Sequence, residues 1–234
     1  MDGAGIFWIA LVPGIVTTII FIALRVKKVS VPVLVMKAAA SVFFISTACA
    51  ALAVNSMALS YGLLVIIGLV CGLLGDIWLD LKYVYPQDRD MYLYAGFYSF
   101  FTGHLFFLAA IFTHYNWTAL TLALSIVPAL IGAAATMAME KPMKLIYGKF
   151  KPTCFIYGFI LMAVAASSVV AAFVTGETVW IVMSIGGILF LLSDFMLSGT
   201  YFGEGKNTPV YVVMNHVLYY AAQFVIASSV LFAE

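Results

Sequence analysis

The sequence predicts an all-α membrane protein of eight transmembrane helices, and three observations carry that prediction. Hydrophobic residues fill 65% of the 234 positions and charged residues 9%, with a mean hydropathy of +1.13. No water-exposed globular surface has that balance. Apolar runs of about 20 residues, the length that crosses a bilayer as a helix, recur along the chain. The period-two alternation of a membrane barrel is absent, which leaves helices as the way to satisfy the backbone in hydrocarbon.

The runs lie near residues 6–24, 33–54, 57–81, 91–113, 118–139, 153–174, 178–200 and 208–231. Short connections join them, so the chain reads as a single transmembrane domain over 1–234, and its chemistry must come from residues within the helices or at their ends. Asp2 precedes the first run and basic residues follow it, the pattern of a first spanning helix rather than a cleaved leader. A net charge of +1 gives no basic surface to neutralise phosphates, so no nucleic acid partner is expected. Cys49, Cys71 and Cys154 sit inside apolar runs and are odd in number, so no disulfide framework is expected.

Charge asymmetry sets the expected topology. Arg25, Lys27 and Lys28 follow the first run, Lys82 and Arg89 the third, Lys141, Lys144, Lys149 and Lys151 the fifth, and Lys206 the seventh. Ten of the eleven basic residues thus fall in odd-numbered connections, which the positive-inside rule places in the cytoplasm, with both termini outside. In a bacterial host the expected location is the cell (inner) membrane. The eleventh, Lys37, lies within the second run, early enough to snorkel to the near surface.

The two halves of the chain, about 6–113 and 118–231, resemble each other. GLLGDIWLD at 72–80 matches FLLSDFMLS at 190–198, pairing Asp76 with Asp194. GHLFFLAAIF from Gly103 matches NHVLYYAAQF from Asn215, pairing His104 with His216. VPVLVMK against KPTCFIY pairs Pro32 with Pro152 and Lys37 with Tyr157, and VPG at 12–14 resembles VPA at 127–129. These in-register matches predict two parallel four-helix repeats, related by an axis along the membrane normal.

Asp76 and Asp194, near the ends of outside-to-inside helices, share a layer with Lys37, Tyr157, Asn215, His216 and Tyr219 from helices running the other way, while His104 lies nearer the middle of the fourth. Ionisable groups inside a span are costly and mark function. The blander account is that Asp76 and Asp194 pair with Lys37 to pin helices, and that His104 and His216 are packing hydrogen bonders. Asp80, one turn beyond Asp76, is expected at the cytoplasmic interface. His114, Tyr115 and Trp117 read as an aromatic belt at the other boundary, and Gly68 and Gly72 as a close helix contact. There is no GxSxG, HExxH, phosphate loop or CxxC pair. Asp76, Asp194, His104 and His216 are isolated residues rather than a spaced ligand motif, so neither metal nor cofactor is expected.

At these residues the sequence resembles the YhhN-type family of membrane lysoplasmalogenases. The resemblance rests on Gly75-Asp76 at the end of the third helix, AGFYSFFTGH from Ala95 to His104, Ser193-Asp194 after a GGILF segment, and Tyr219, Tyr220 and Gln223 in the last helix. It covers most of the chain, including the eight-helix plan and the early lysine of the second helix. It implies hydrolysis of the vinyl ether bond of a lysoplasmalogen to a fatty aldehyde and a glycerophospho-ethanolamine or -choline, with a lysophospholipid substrate and membrane lipids as the partners.

The chemistry has its own requirements. A vinyl ether is protonated at its β-carbon to an oxocarbenium ion, water captures that ion, and the hemiacetal collapses. An acid beside an anion suits this path, as a carboxyl pair does in glycosidases. The expected catalytic set is Asp76, Asp194 and His104, with the two aspartates as acid and partner in unassigned order. The expected substrate contacts are Lys37 for the lipid phosphate, with Tyr157, Ser193, Asn215, His216, Tyr219, Tyr220 and Gln223. A proton-coupled transporter of a small molecule or lipid is the alternative, since such carriers also hold carboxylates and imidazoles in the membrane. Carriers favour a midplane site, whereas this cluster lies to one side. A purely structural bundle would leave the polar layer without chemical purpose.

Overall fold

A computed structural model describes residues 3–234. Its helices are α1 (Gly3–Lys27), α2 (Val31–Val54), α3 (Leu59–Val84), α4 (Arg89–His114), α5 (Ala119–Ala138), α6 (Lys151–Thr175), α7 (Thr178–Phe202) and α8 (Pro209–Ser229). Each of the eight coincides with a segment long and apolar enough to cross a membrane. Local chemistry fixes several ends. Pro32, Pro152 and Pro209 sit in first turns, where no N–H is required. Thr118 and Thr121 form a reciprocal capping box at α5, and Gly176, at φ 70°, closes α6 in the left-handed conformation.

Several helices run further than the apolar pattern predicts. Arg25 and Lys27 belong to the last turn of α1 and Lys82 to that of α3, while Arg89 opens α4 and Lys151 opens α6, so these five residues are not in connections. A helix continues for as long as its backbone bonds close, and hydropathy does not report a final turn whose charged side chains find partners inside the protein. Tyr115 and Trp117 also depart from expectation. Tyr115 is buried, and Trp117 stacks on Phe112 at 4.4 Å, because each ring finds aromatic neighbours inward. His114 bonds Ser60 at 2.7 Å. Cys49, Cys71 and Cys154 are free thiols.

Successive helices pack as neighbours in the pairs α1–α2, α2–α3 and α3–α4, and again in α5–α6, α6–α7 and α7–α8. Contacts of α2 with α8 and of α4 with α6 join the two sets, closing α2, α3, α4, α6, α7 and α8 into a ring. The first and fifth helices stand outside it, with 22% of their spanning windows buried against 39–50% for the ring helices. Both carry an internal proline, Pro13 and Pro128.

Small residues let the ring close. Gly68 on α3 faces the Phe107 ring and the Gly103 carbonyl of α4, and Gly75 lies under Phe100. On α7, Gly186 faces Ile226 of α8 and Gly187 faces Ala165 of α6. With lipid as solvent there is no hydrophobic drive between helices, so such close backbone approach supplies the packing energy. Gly72 faces Gln223 and Tyr219 of α8, which brings α8 across to the carboxylates of α3.

The α5–α6 connection is pinned to the end of α7. Leu145 bridges Gly203, Ile146 N donates to Phe202 O at 2.8 Å, and Lys206 Nζ reaches Met143 O at 2.6 Å.

Candidate active site

One cavity of about 280 Å³ opens at the basic end of the ring. Its wall includes Lys37, Asp76, Asp80, Ser193, Asp194, Asn215, His216 and Tyr219, together with Arg25, Lys27 and Lys28 at the α1–α2 turn. Helical spacing explains the carboxylates: Asp76 and Asp80 are one turn apart on α3, hence on one face. Asp194 faces them from α7, and α8 presents Asn215, His216 and Tyr219 at steps of one and three residues.

Asp76 is enclosed by donors. Lys37 Nζ lies 3.2 Å from its Oδ1, while Ser41 Oγ and Tyr219 Oη donate to Oδ2 at 2.6 and 2.7 Å. Gln223 Nε2 donates to Tyr219 Oη at 3.0 Å, and Tyr220 Oη donates to the Lys37 carbonyl at 3.1 Å. Lys37 also meets Asp80 Oδ1 at 3.3 Å, and Arg25 Nη2 reaches the same oxygen at 3.3 Å. A buried chain of alternating charge thus runs Asp76, Lys37, Asp80, Arg25. Lys37 is buried rather than snorkelling, and Asp80, expected at the interface, is 2% exposed, because two cations draw it inward.

Asp194 has different company. Tyr157 Oη donates to its Oδ2, and among the described residues no cation lies within salt-bridge distance of it. Next to it Ser193 and Asn215 are mutually bonded: Ser193 Oγ donates to Asn215 O at 3.2 Å, and Asn215 Nδ2 donates to Ser193 O at 2.9 Å.

A second cavity, of about 90 Å³, lies on the other side of Asp194. Phe97, Met137, Met143, Leu161, Met162, Leu191 and Phe195 line it, with Tyr147 and Tyr157. Leu79, Phe100, Asp194, Leu197 and Tyr201 line both cavities. Among the described residues, Asp194 is therefore the one carboxylate shared by a polar chamber and an apolar one.

His104 does not join the aspartates. Its Nδ1 bonds the Phe100 carbonyl at 2.7 Å and its ring packs edge-on against Phe190 at 4.5 Å. It lines neither chamber, so the bland packing account describes it. His216 makes the same bond to Val212 O at 2.7 Å and packs on Phe21 at 5.1 Å, yet lies on the wall of the polar chamber. Tyr220 and Gln223 act behind Lys37 and Tyr219 and do not line it.

The sequence reading assigns no role to Ser41 and puts Asp80 at the interface and Arg25 and Lys82 in connections, whereas the structure buries all four. Spacing was the available signal for Asp80, one turn from Asp76. Lys82, buried on α3, packs over the Tyr83 and Tyr201 rings. Nothing distinguishes Ser41 from other serines in apolar helices. Among the described residues no three His, Cys, Asp or Glu side chains group as ligands of one metal ion would.

Compared with known proteins, residues 33–230 match the sequence model of the YhhN family. No curated protein and no solved structure matches the chain.

Proposed function

The chain belongs to the YhhN family, and on that footing we propose that it is an integral-membrane hydrolase cleaving the vinyl ether bond of lysoplasmalogens. The observation that carries the proposal is the place of Asp194 between the polar and the apolar chamber. In a single-chain lipid the vinyl ether is the junction between a polar glycerophospho head and a hydrocarbon tail. A head in one chamber and a tail in the other put that bond at Asp194.

The surroundings of the two aspartates divide the work. Asp76 has Lys37, Ser41 and Tyr219 directed at it, and charge-assisted bonds of this kind hold an anion. Asp194 has the Tyr157 hydroxyl and, among the described residues, no cation, which is the setting of a neutral carboxylic acid, since an uncompensated buried charge is costly. Asp194 therefore gives its proton to the β-carbon. The C=C electrons form the new C–H bond, and an oxygen lone pair delocalises onto the α-carbon as the oxocarbenium ion. Asp76 faces that charge as the anion. Water adds to the α-carbon and its released proton returns to Asp194. The hemiacetal then breaks its bond to the glycerol oxygen, leaving aldehyde and glycerol hydroxyl. General acid catalysis supplies roughly 10²–10⁴-fold, and a positioned anion supplies electrostatic stabilisation of the cation.

Purified protein incubated with a lysoplasmalogen should release fatty aldehyde, and none from the saturated-ether analogue, which has no double bond to protonate. Substrate movement across proteoliposomes without aldehyde release would select the carrier reading instead.

A further inference from the structure

Arg25 entered the sequence reading only as a topology signal, and the hydrolytic proposal gives it no role. Its side chain is 7% exposed. Nη2 pairs with Asp80 at 3.3 Å and the guanidinium carbon lies 4.7 Å from the centre of the Tyr83 ring. Nη1 has no hydrogen-bond partner among the described residues. A buried donor without a partner calls for a ligand or a water that meets it.

The neighbourhood says what kind of ligand. Arg25 shares the wall of the polar chamber with Lys27, Lys28, the N-cap Thr208 of α8 and its first-turn residues Pro209 and Val212. The 21-residue α8 directs the positive end of its dipole there. Lys37, expected to take a phosphate, is held between Asp76 and Asp80 and is not free to do so. We propose that Arg25 and the N-terminus of α8 form the site for the phosphodiester of the lipid head group, with Lys27 and Lys28 at its mouth.

The inference rests on the hydrolytic reading only in naming the lipid. Guanidinium suits the task because its planar fork matches phosphate oxygens and its charge is permanent. Asp80 is a positioning residue here: its Oδ1 pairs with Nη2 at 3.3 Å, while Nη1 is left without a partner among the described residues. Its own negative charge is offset by Lys37 and Arg25, so it does not make the chamber repel an anion.

The test is equilibrium binding to the purified full chain in lipid nanodiscs, using ligands that cannot be hydrolysed. A saturated-ether lysophosphatidylethanolamine should bind about tenfold or more tighter than the alkylglycerol lacking phosphate, as charge-assisted bonds warrant. Arg25→Gln should bring that ratio close to one, and Arg25→Lys should keep part of it. Because Arg25→Gln leaves Asp80 short of a partner, the double variant Arg25→Gln/Asp80→Asn repeats the measurement with the pair neutralised. A folded single or double variant that keeps the parent's ratio overturns the proposal. So does inorganic phosphate binding as tightly as the lipid, which would make the chamber a free-phosphate site. Aldehyde release is not read, so a failure of the hydrolytic reading leaves these outcomes distinct.

Discussion

Lys37 holds Asp76 in a buried ion pair at 3.2 Å, and the same ammonium reaches Asp80 at 3.3 Å. Lys37→Met removes the cation from two carboxylates at once. Breaking a buried pair costs about 3–5 kcal/mol, so thermal unfolding in detergent should show a large fall in Tm. Lys37→Met/Asp80→Asn should recover part of it. An unchanged Tm with only a raised KM would return Lys37 to the role of head-group contact.

Asp194→Asn keeps shape and hydrogen bonding but has no acidic proton, so aldehyde release should fall by about 10²–10⁴-fold with the folded protein intact. Asp76→Asn should also lose most activity, and with some loss of stability, since Lys37 then loses a partner. Tyr157→Phe removes one donor to Asp194 and should cost less, about fivefold if the bond contributes roughly 1 kcal/mol. Single-turnover aldehyde release checks all three, and parental rates in both asparagine variants would end the carboxylate mechanism.

How much of this was legible follows from what hydropathy can see. The spans were legible because hydrocarbon forces long uninterrupted helices, and the carboxylate layer because charges inside such spans are few. Arg25, Asp80 and Lys82 were misread for one shared reason. Each lies where an apolar run meets a basic flank, and an extra buried turn looks the same in sequence as an exposed one. His104 was legible as polar, but the orientation of its ring toward Phe190 depends on packing with α7. The two chambers meeting at Asp194 need the closed ring of helices, which no local pattern encodes.

The pairing of Lys37 with Asp76 on α2 and α3 has a counterpart in Tyr157 with Asp194 on α6 and α7. If the halves are repeats, superposing 6–113 on 118–231 should bring Asp76 onto Asp194, His104 onto His216 and Lys37 onto Tyr157. Paired side chains that point to opposite faces after superposition would defeat the duplication.

Topology is expected to follow the basic residues, with the mouth of the polar chamber in the cytoplasm and both termini outside. Single cysteines replacing Lys27 and Lys144, in a background without the native thiols, should resist a membrane-impermeant reagent in intact cells. They should react after permeabilisation. Labelling in intact cells would invert the orientation.

The chambers on either side of Asp194 also bear on where the fragments go. On the proposed reaction, cleavage falls at the wall between them, so each product is left in the compartment that suits its own solubility. The glycerophospho fragment faces the basic mouth and can diffuse into water. The aldehyde stays on the side of Met137, Met143 and Met162 and partitions into the surrounding leaflet. Products parted into two phases seldom meet again at one carboxyl group, which disfavours recombination and limits product inhibition. On the same proposal, that division would hand a reactive aldehyde to the bilayer, where membrane-associated oxidation or reduction would have to consume it.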